Sequence, residues 1–95
     1  GSAAEQKSWC VAIDNTNLNT LQSNIDYVCD KLNCKILSVG GSCFYPDTKL
    51  NHASVAMNLF YRNSGNKDCG FNGSGDIVDK DPSYTGQYRT KCTYA

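Results

Sequence analysis

Ninety-five residues suffice for one domain, and so short a chain buries too small a share of its surface for its core to need no covalent help. Nine basic residues balance nine acidic ones, which excludes the electrostatic footprint of a nucleic-acid binder or of a membrane-surface binder. Ten Asn, nine Ser and six Thr beside six Tyr, three Phe and one Trp suit a neutral, hydroxyl-rich ligand such as a glycan, and equally well a polar surface rich in loops.

Six cysteines stand at positions 10, 29, 34, 43, 69 and 92. Their number is even, no C-x2-C pair occurs and His52 is the single histidine, so three disulfides explain the set better than a zinc site. Neither a metal nor a cofactor is expected. Three bridges in so small a chain point to an oxidising, extracellular compartment.

In chain order, Gly1-Ser2 has the look of a tag-cleavage remnant and leads into a polar start, so residues 1–7 are set apart from a domain over 8–95. No signal peptide or transmembrane run occurs, which fits a domain trimmed to its mature part and gives this segment no direct insertion into a membrane. Trp9-Cys10-Val11-Ala12-Ile13 reads as a short strand with Trp9 plugging the core. Asp14-Asn15-Thr16-Asn17 is turn and cap material. Leu18, Leu21, Ile25, Val28 and Leu32 then recur at spacings of three and four, predicting an amphipathic helix from Leu18 or Thr20 to Lys31. Gln22, Asn24, Asp26, Tyr27 and Asp30 fall on its other faces.

Cys29 and Cys34 are close enough to close a local loop at the helix end. Lys35 to Val39 leads into Gly40-Gly41, a pair that permits a positive φ or a very tight backbone approach. Pro46 ends the extended run that follows, and Asp47, Thr48 or Asn51 can cap a second helix over Lys49–Arg62. Leu50, Ala53, Met57 and Phe60 form one apolar stripe on that helix, and Val55 and Leu59 a second, so it should be central. His52 has no second histidine beside it and reads as structural. Ser64 to Asp68 ends the helix, Gly70 to Gly75 is loop, and Ile77-Val78 is a short strand. Asn72-Gly73-Ser74 within that loop is a candidate N-glycosylation site at Asn72. Asp79 to Tyr84 reads as a turn and Lys91 to Tyr94 as a further strand.

Six ordered blocks, together holding all six cysteines, resemble the plant X8 domain, which is carbohydrate-binding module family 43. They are Trp9-Cys10-Val11-Ala12, Leu21 to Cys29, Gly40 to Thr48, His52 to Tyr61, Cys69-Gly70-Phe71, and Asp81 to Tyr84 with Cys92-Thr93-Tyr94. The resemblance covers nearly all of residues 8–94. It implies a small disulfide-rich α+β fold of two packed helices, a small antiparallel sheet and long coils. It also implies the bridges Cys10–Cys69, Cys29–Cys34 and Cys43–Cys92, of which spacing alone indicates the middle one. Two features depart from the family pattern. The link from Tyr84 to Cys92 is longer, and Val55 and Arg62 stand where relatives more often carry tyrosine and, nearby, glutamine; both differences are expected on ligand-facing surface.

The function implied is non-catalytic binding of β-1,3-glucan, the polymer of callose, by a secreted monomer of the plant cell wall or plasmodesmata. Such modules occur free, including as pollen allergens, behind β-1,3-glucanases, or in lipid-anchored proteins. Sugar C–H faces stack on aromatic rings while polar side chains bond hydroxyls. The candidate carbohydrate-binding residues are Tyr61, Arg62, Tyr45, Gln22, Asn24 and Asp26, with Tyr84 and Tyr88 secondary; Phe44 and Asn58 are assigned to packing. A glycosidase would need two carboxyls facing each other across the scissile bond, and here the acids lie in loops or on solvated faces. A disulfide-stapled domain that recognises another protein is the alternative reading.

Overall fold

Helix caps set the frame of the computed structural model, which describes residues 7–95. The expected tag remnant and most of the polar lead fall outside the described residues. Asn17 opens helix α1 (Leu18–Lys31) by accepting a hydrogen bond from the Asn19 N–H at 2.7 Å. Thr48 opens helix α2 (Lys49–Asn63) by accepting from the Asn51 N–H at 3.1 Å. Asn51 does not cap; its amide donates to the carbonyls of Cys43 and Pro46 and to the Tyr84 hydroxyl. At the far end of α2 the Ser64 hydroxyl accepts from the N–H groups of Lys67 and Asp68 and turns the chain away.

Strand β1 (Trp9–Ala12) pairs antiparallel with β2 (Gly75–Val78), Trp9 opposite Val78 and Ala12 opposite Gly75. A second antiparallel ribbon joins β3 (Tyr84–Thr85) to β4 (Lys91–Cys92). The antiparallel pairing is thus split between two two-stranded ribbons. Tyr84 belongs to a strand, although it reads as the end of a turn, and Lys35–Leu37 forms a 3-10 turn that periodicity does not reveal.

The glycine pair uses both freedoms that glycine offers. Gly40 sits at φ +87°, and a Cβ on Gly41 would lie 2.4 Å from the Ile36 carbonyl oxygen. That approach lets the Cys43 N–H donate to the same carbonyl at 2.9 Å, which fixes where Cys43 enters the core.

Helix α2 is buried on most of its circumference: Ala53, Ser54, Val55, Ala56, Met57, Asn58 and Tyr61 are all buried. It lies between two apolar clusters, each holding one long-range disulfide. One gathers Trp9, Val28, Leu37, Val55, Ala56 and Tyr94 around Cys43–Cys92; the other gathers Ala12, Leu21, Ala53, Met57 and Tyr61 around Cys10–Cys69. The third bridge, Cys29–Cys34, staples the end of α1. Val55 is 2% exposed, so the position expected to face ligand is in the core. Its side chain belongs to the same apolar cluster as Trp9 and Val28.

Two polar side chains of α2 join it to β1. The Ser54 hydroxyl accepts from the Ala12 N–H at 2.9 Å, and Asn58 Oδ1 accepts from the Cys10 N–H at 3.0 Å. Four helical residues advance about 6 Å, and two strand residues advance nearly the same distance. Ser54 and Asn58 therefore stand in register with alternate N–H groups on the β1 edge that β2 leaves free.

Replacing Asn58, which is fully buried and also donates to the Ala95 carbonyl, by alanine strands the Cys10 N–H. Asn58→Ala should lower stability by about 1–3 kcal/mol in urea unfolding. A second prediction concerns alkaline pH. Burial, with the neighbouring Tyr84 next in weight, pushes the Tyr94 phenol well above its usual 10.0, and the Ser54 hydroxyl offsets part of this. The unfolded chain gives up this proton more readily than the folded one. Stability from this group is therefore complete below pH ~10 and declines as pH rises above it. Tyr94→Phe should flatten the alkaline limb of a stability-versus-pH curve.

Candidate functional site

Three aromatic rings from three elements meet on one surface. Tyr27 on α1 packs edge-on against Phe60 in the last turns of α2, with centroids 5.4 Å apart and planes at 64°. Phe60 packs in the same way on Phe71, at 5.7 Å and 70°. Phe71 follows Cys69 by two residues, so the Cys10–Cys69 bridge anchors its loop beside the helices. Tyr27 directly precedes Val28, which is wholly buried, and is itself half exposed, so its ring covers the core edge and still meets solvent. Lys31, one turn on, holds its ammonium 4.3 Å from the Tyr27 ring centroid.

These rings border an open groove of about 560 Å³. Ser23, Asn24, Asp68, Gly70 and Asn72 complete its lining. Asn24 forms a rigid base: it is 7% exposed, and its amide donates to the Ser74 hydroxyl at 2.9 Å and lies 3.6 Å from Met57 Sδ. Ser23, Asp68 and Asn72 are exposed along the rim. A groove with aromatic walls, an amide at its base and hydroxyl, carboxylate and amide groups at its lip can stack on a ring-shaped ligand and bond its polar substituents.

Of the residues singled out in the sequence, Asn24 lines this groove. Gln22 and Asp26 bond each other one turn apart on the outer surface of α1, at 2.8 Å. Tyr45, Tyr84 and Tyr88 gather elsewhere. Tyr88, 82% exposed, meets Tyr45 edge-on at 5.4 Å, and the Tyr84 hydroxyl donates to the Tyr45 carbonyl. His52, near the start of α2, bonds the Phe44 carbonyl through Nε2 at 2.7 Å, consistent with its structural reading.

Tyr61 and Arg62 have structural positions. Tyr61 is 3% exposed and its hydroxyl bonds Ser8 Oγ at 2.6 Å. Arg62 Nη2 donates to the carbonyls of Ser8 (2.9 Å) and Ala95 (2.7 Å), and Nη1 donates to Asn66 Oδ1.

Sequence reasoning missed Tyr27, Phe60, Phe71, Ser23 and Asp68 as lining residues. One signal was available. Tyr27 is an aromatic just off the apolar stripe of α1, four residues from both Ser23 and Lys31, on a face otherwise given to polar residues. Phe71 carried no such signal, because only the fold of its loop brings it to α2.

Fold and site together define a disulfide-stapled α+β domain with a shallow aromatic groove on its surface. The chain belongs to the X8 domain family, whose model matches residues 8–76. It is 45% identical to a "Glucan endo-1,3-beta-glucosidase" of Triticum aestivum over 82% of its own length but only 17% of that protein's. It is 44% identical to "Major pollen allergen Ole e 10" of Olea europaea, over 81% of this chain and 66% of that one. To "Plasmodesmata callose-binding protein 1" of Arabidopsis thaliana it is 35% identical over 83% of this chain and 41% of the relative. The chain therefore spans about a sixth of the glucosidase. No solved structure gives a significant match.

Because Arg62 bonds the carbonyls of Ser8 and Ala95 and does not line the groove, Arg62→Ala should lower stability by about 1–2 kcal/mol. The amide NMR signals of Ser23, Tyr27 and Phe71 should stay in place. Shifts concentrated at the groove residues would contradict this assignment.

Proposed function

We propose that the domain binds β-1,3-glucan of the callose type without catalysing its hydrolysis, and that the groove between Tyr27, Phe60 and Phe71 is where the polysaccharide lies. The row of three rings carries this reading. Each ring can face the C–H side of a pyranose, while Asn24, Ser23, Asp68 and Asn72 bond hydroxyls. Gln22 and Asp26 on the outer surface of α1, and the cluster of Tyr45, Tyr84 and Tyr88, offer subsidiary contact to a longer chain.

Ring orientation supports the linkage. Successive rings are tilted by 64° and 70°, so no flat platform exists for a straight β-1,4 ribbon. A chain that bends at each linkage, as a β-1,3-linked one does, can present successive faces to tilted rings. Membership of a family with a callose-binding protein and glucan endo-1,3-beta-glucosidases among its relatives points to the same polymer.

Chemistry supports the reading without catalysis. Glycoside hydrolysis requires two carboxyls flanking the bond, and Asp68 is the one carboxylate lining the groove among the described residues. Three formed disulfides suit an extracellular site of action, and we place the domain, as a monomer, in the plant cell wall or at plasmodesmata, free or joined to a larger or lipid-anchored parent.

A pull-down on insoluble β-1,3-glucan with cellulose as control tests the reading. Retention on the first alone is expected, with no new reducing ends released. Tyr27→Ala should weaken binding of β-1,3-glucan oligosaccharides by about two- to twelvefold, the worth of one aromatic contact, without unfolding the domain. Failure of the native protein to bind either polymer would overturn the proposal and favour recognition of another protein.

A further inference from the structure

The sequon Asn72-Gly73-Ser74 is part of the groove wall. Asn72 is exposed and lines the groove next to Phe71, held in the left-handed region at φ 54°, ψ 38°. Ser74, two residues on, is 6% exposed. Its hydroxyl donates to the Phe71 carbonyl at 2.6 Å and accepts from Asn24 Nδ2 at 2.9 Å. The outer residue of the motif thus stands at the mouth of the groove, and the inner one is locked beneath it.

We propose that Asn72 carries an N-linked oligosaccharide and that this glycan closes the groove, so that the domain exists in an open, unmodified form and an occluded, glycosylated one. The second half of the proposal rests on the groove being the glucan site. In the modification, the Asn72 amide nitrogen attacks C1 of a lipid-diphosphate-linked oligosaccharide. The N–C1 bond forms and the C1–O bond to the diphosphate breaks; the lipid diphosphate leaves with the electron pair, and one amide proton passes to a base of the transferase. No oxidation or reduction occurs.

Two physical arguments support occlusion. The attached sugars are pyranoses, with the same C–H faces and hydroxyls as the ligand the groove would take. Tethered at its wall, they compete at an effective concentration of order mM, enough to displace a weakly held polysaccharide.

Burial of Ser74 also sets the order of events. The transferase must engage the sequon hydroxyl, which in the folded domain is spent on Phe71 and Asn24. The acceptor is therefore available only before the loop folds onto α1, and closure of Cys10–Cys69, three residues before Asn72, ends the opportunity. Occupancy reflects a race between glycan transfer and folding.

The test compares protein secreted from a glycosylating host with unmodified protein from a bacterial periplasm, titrating each with β-1,3-glucan oligosaccharides. Peptide mass mapping should locate a glycan on Asn72. The glycosylated form should bind at least about tenfold more weakly, and enzymatic release of the glycan should restore binding. Two results overturn the proposal: Asn72 left bare in a host that glycosylates a control protein, or equal binding by both forms. Loss of binding by the unmodified form as well would instead overturn the glucan reading and take the occlusion with it. As acceptors for microsomal transfer, the reduced chain should be modified and the oxidised domain should not; efficient modification of the oxidised domain would overturn the ordering.

Discussion

Everything in this domain depends on the match between four residues of a helix and two of a strand. Ser54 and Asn58 of α2 receive the N–H groups of Ala12 and Cys10, so the helix acts towards β1 as a third strand would. A two-stranded ribbon is marginal by itself, and this one is stable because its free edge is satisfied by side chains in place of backbone. The arrangement also fixes Cys10. With its N–H held by Asn58, its sulfur is positioned for Cys69, and the loop after Cys69 then lies against α2.

That sequence of constraints leads to the groove. Helix α1 brings Tyr27, α2 brings Phe60, and the Cys69 loop brings Phe71, so the aromatic row exists only when both helices and the disulfide are in place. Phe60 and Phe71 also pack on the core clusters, which makes the groove floor continuous with the interior. Asn24, tied to Ser74 and Met57, anchors its polar base to the same interior. Preorganisation of this kind would favour the polysaccharide proposed as ligand, because little additional ordering of the protein would oppose binding.

Much of the fold was legible in the chain, for physical reasons. The stripe on α1 has the helical period, and Thr48 and Asn17 are strong caps, so both helices lie within one or two residues of expectation. The short Cys29–Cys34 spacing indicated its bridge, and the family pattern supplied the other two. What escaped has a common cause: the 3-10 turn at Lys35–Leu37 and the strand at Tyr84–Thr85 are too short to show a period. For the site, sequence reasoning favoured tyrosines and polar residues by type, yet burial decides which face solvent. Tyr61 is enclosed and Tyr27 is not, although both are tyrosines on helices, because Tyr61 falls on the side of α2 covered by β1 and Ser8. Val55 shows the same point, since a helix enclosed on most sides leaves few positions for recognition.

The guanidinium of Arg62 has one further consequence. A single Nη2 holds the carbonyls of both Ser8 and Ala95, so two stretches far apart in sequence lie side by side. The guanidinium works as a clasp: strand β1 cannot slide along α2, nor the stretch after β4 lift away, without breaking a bond that the other shares.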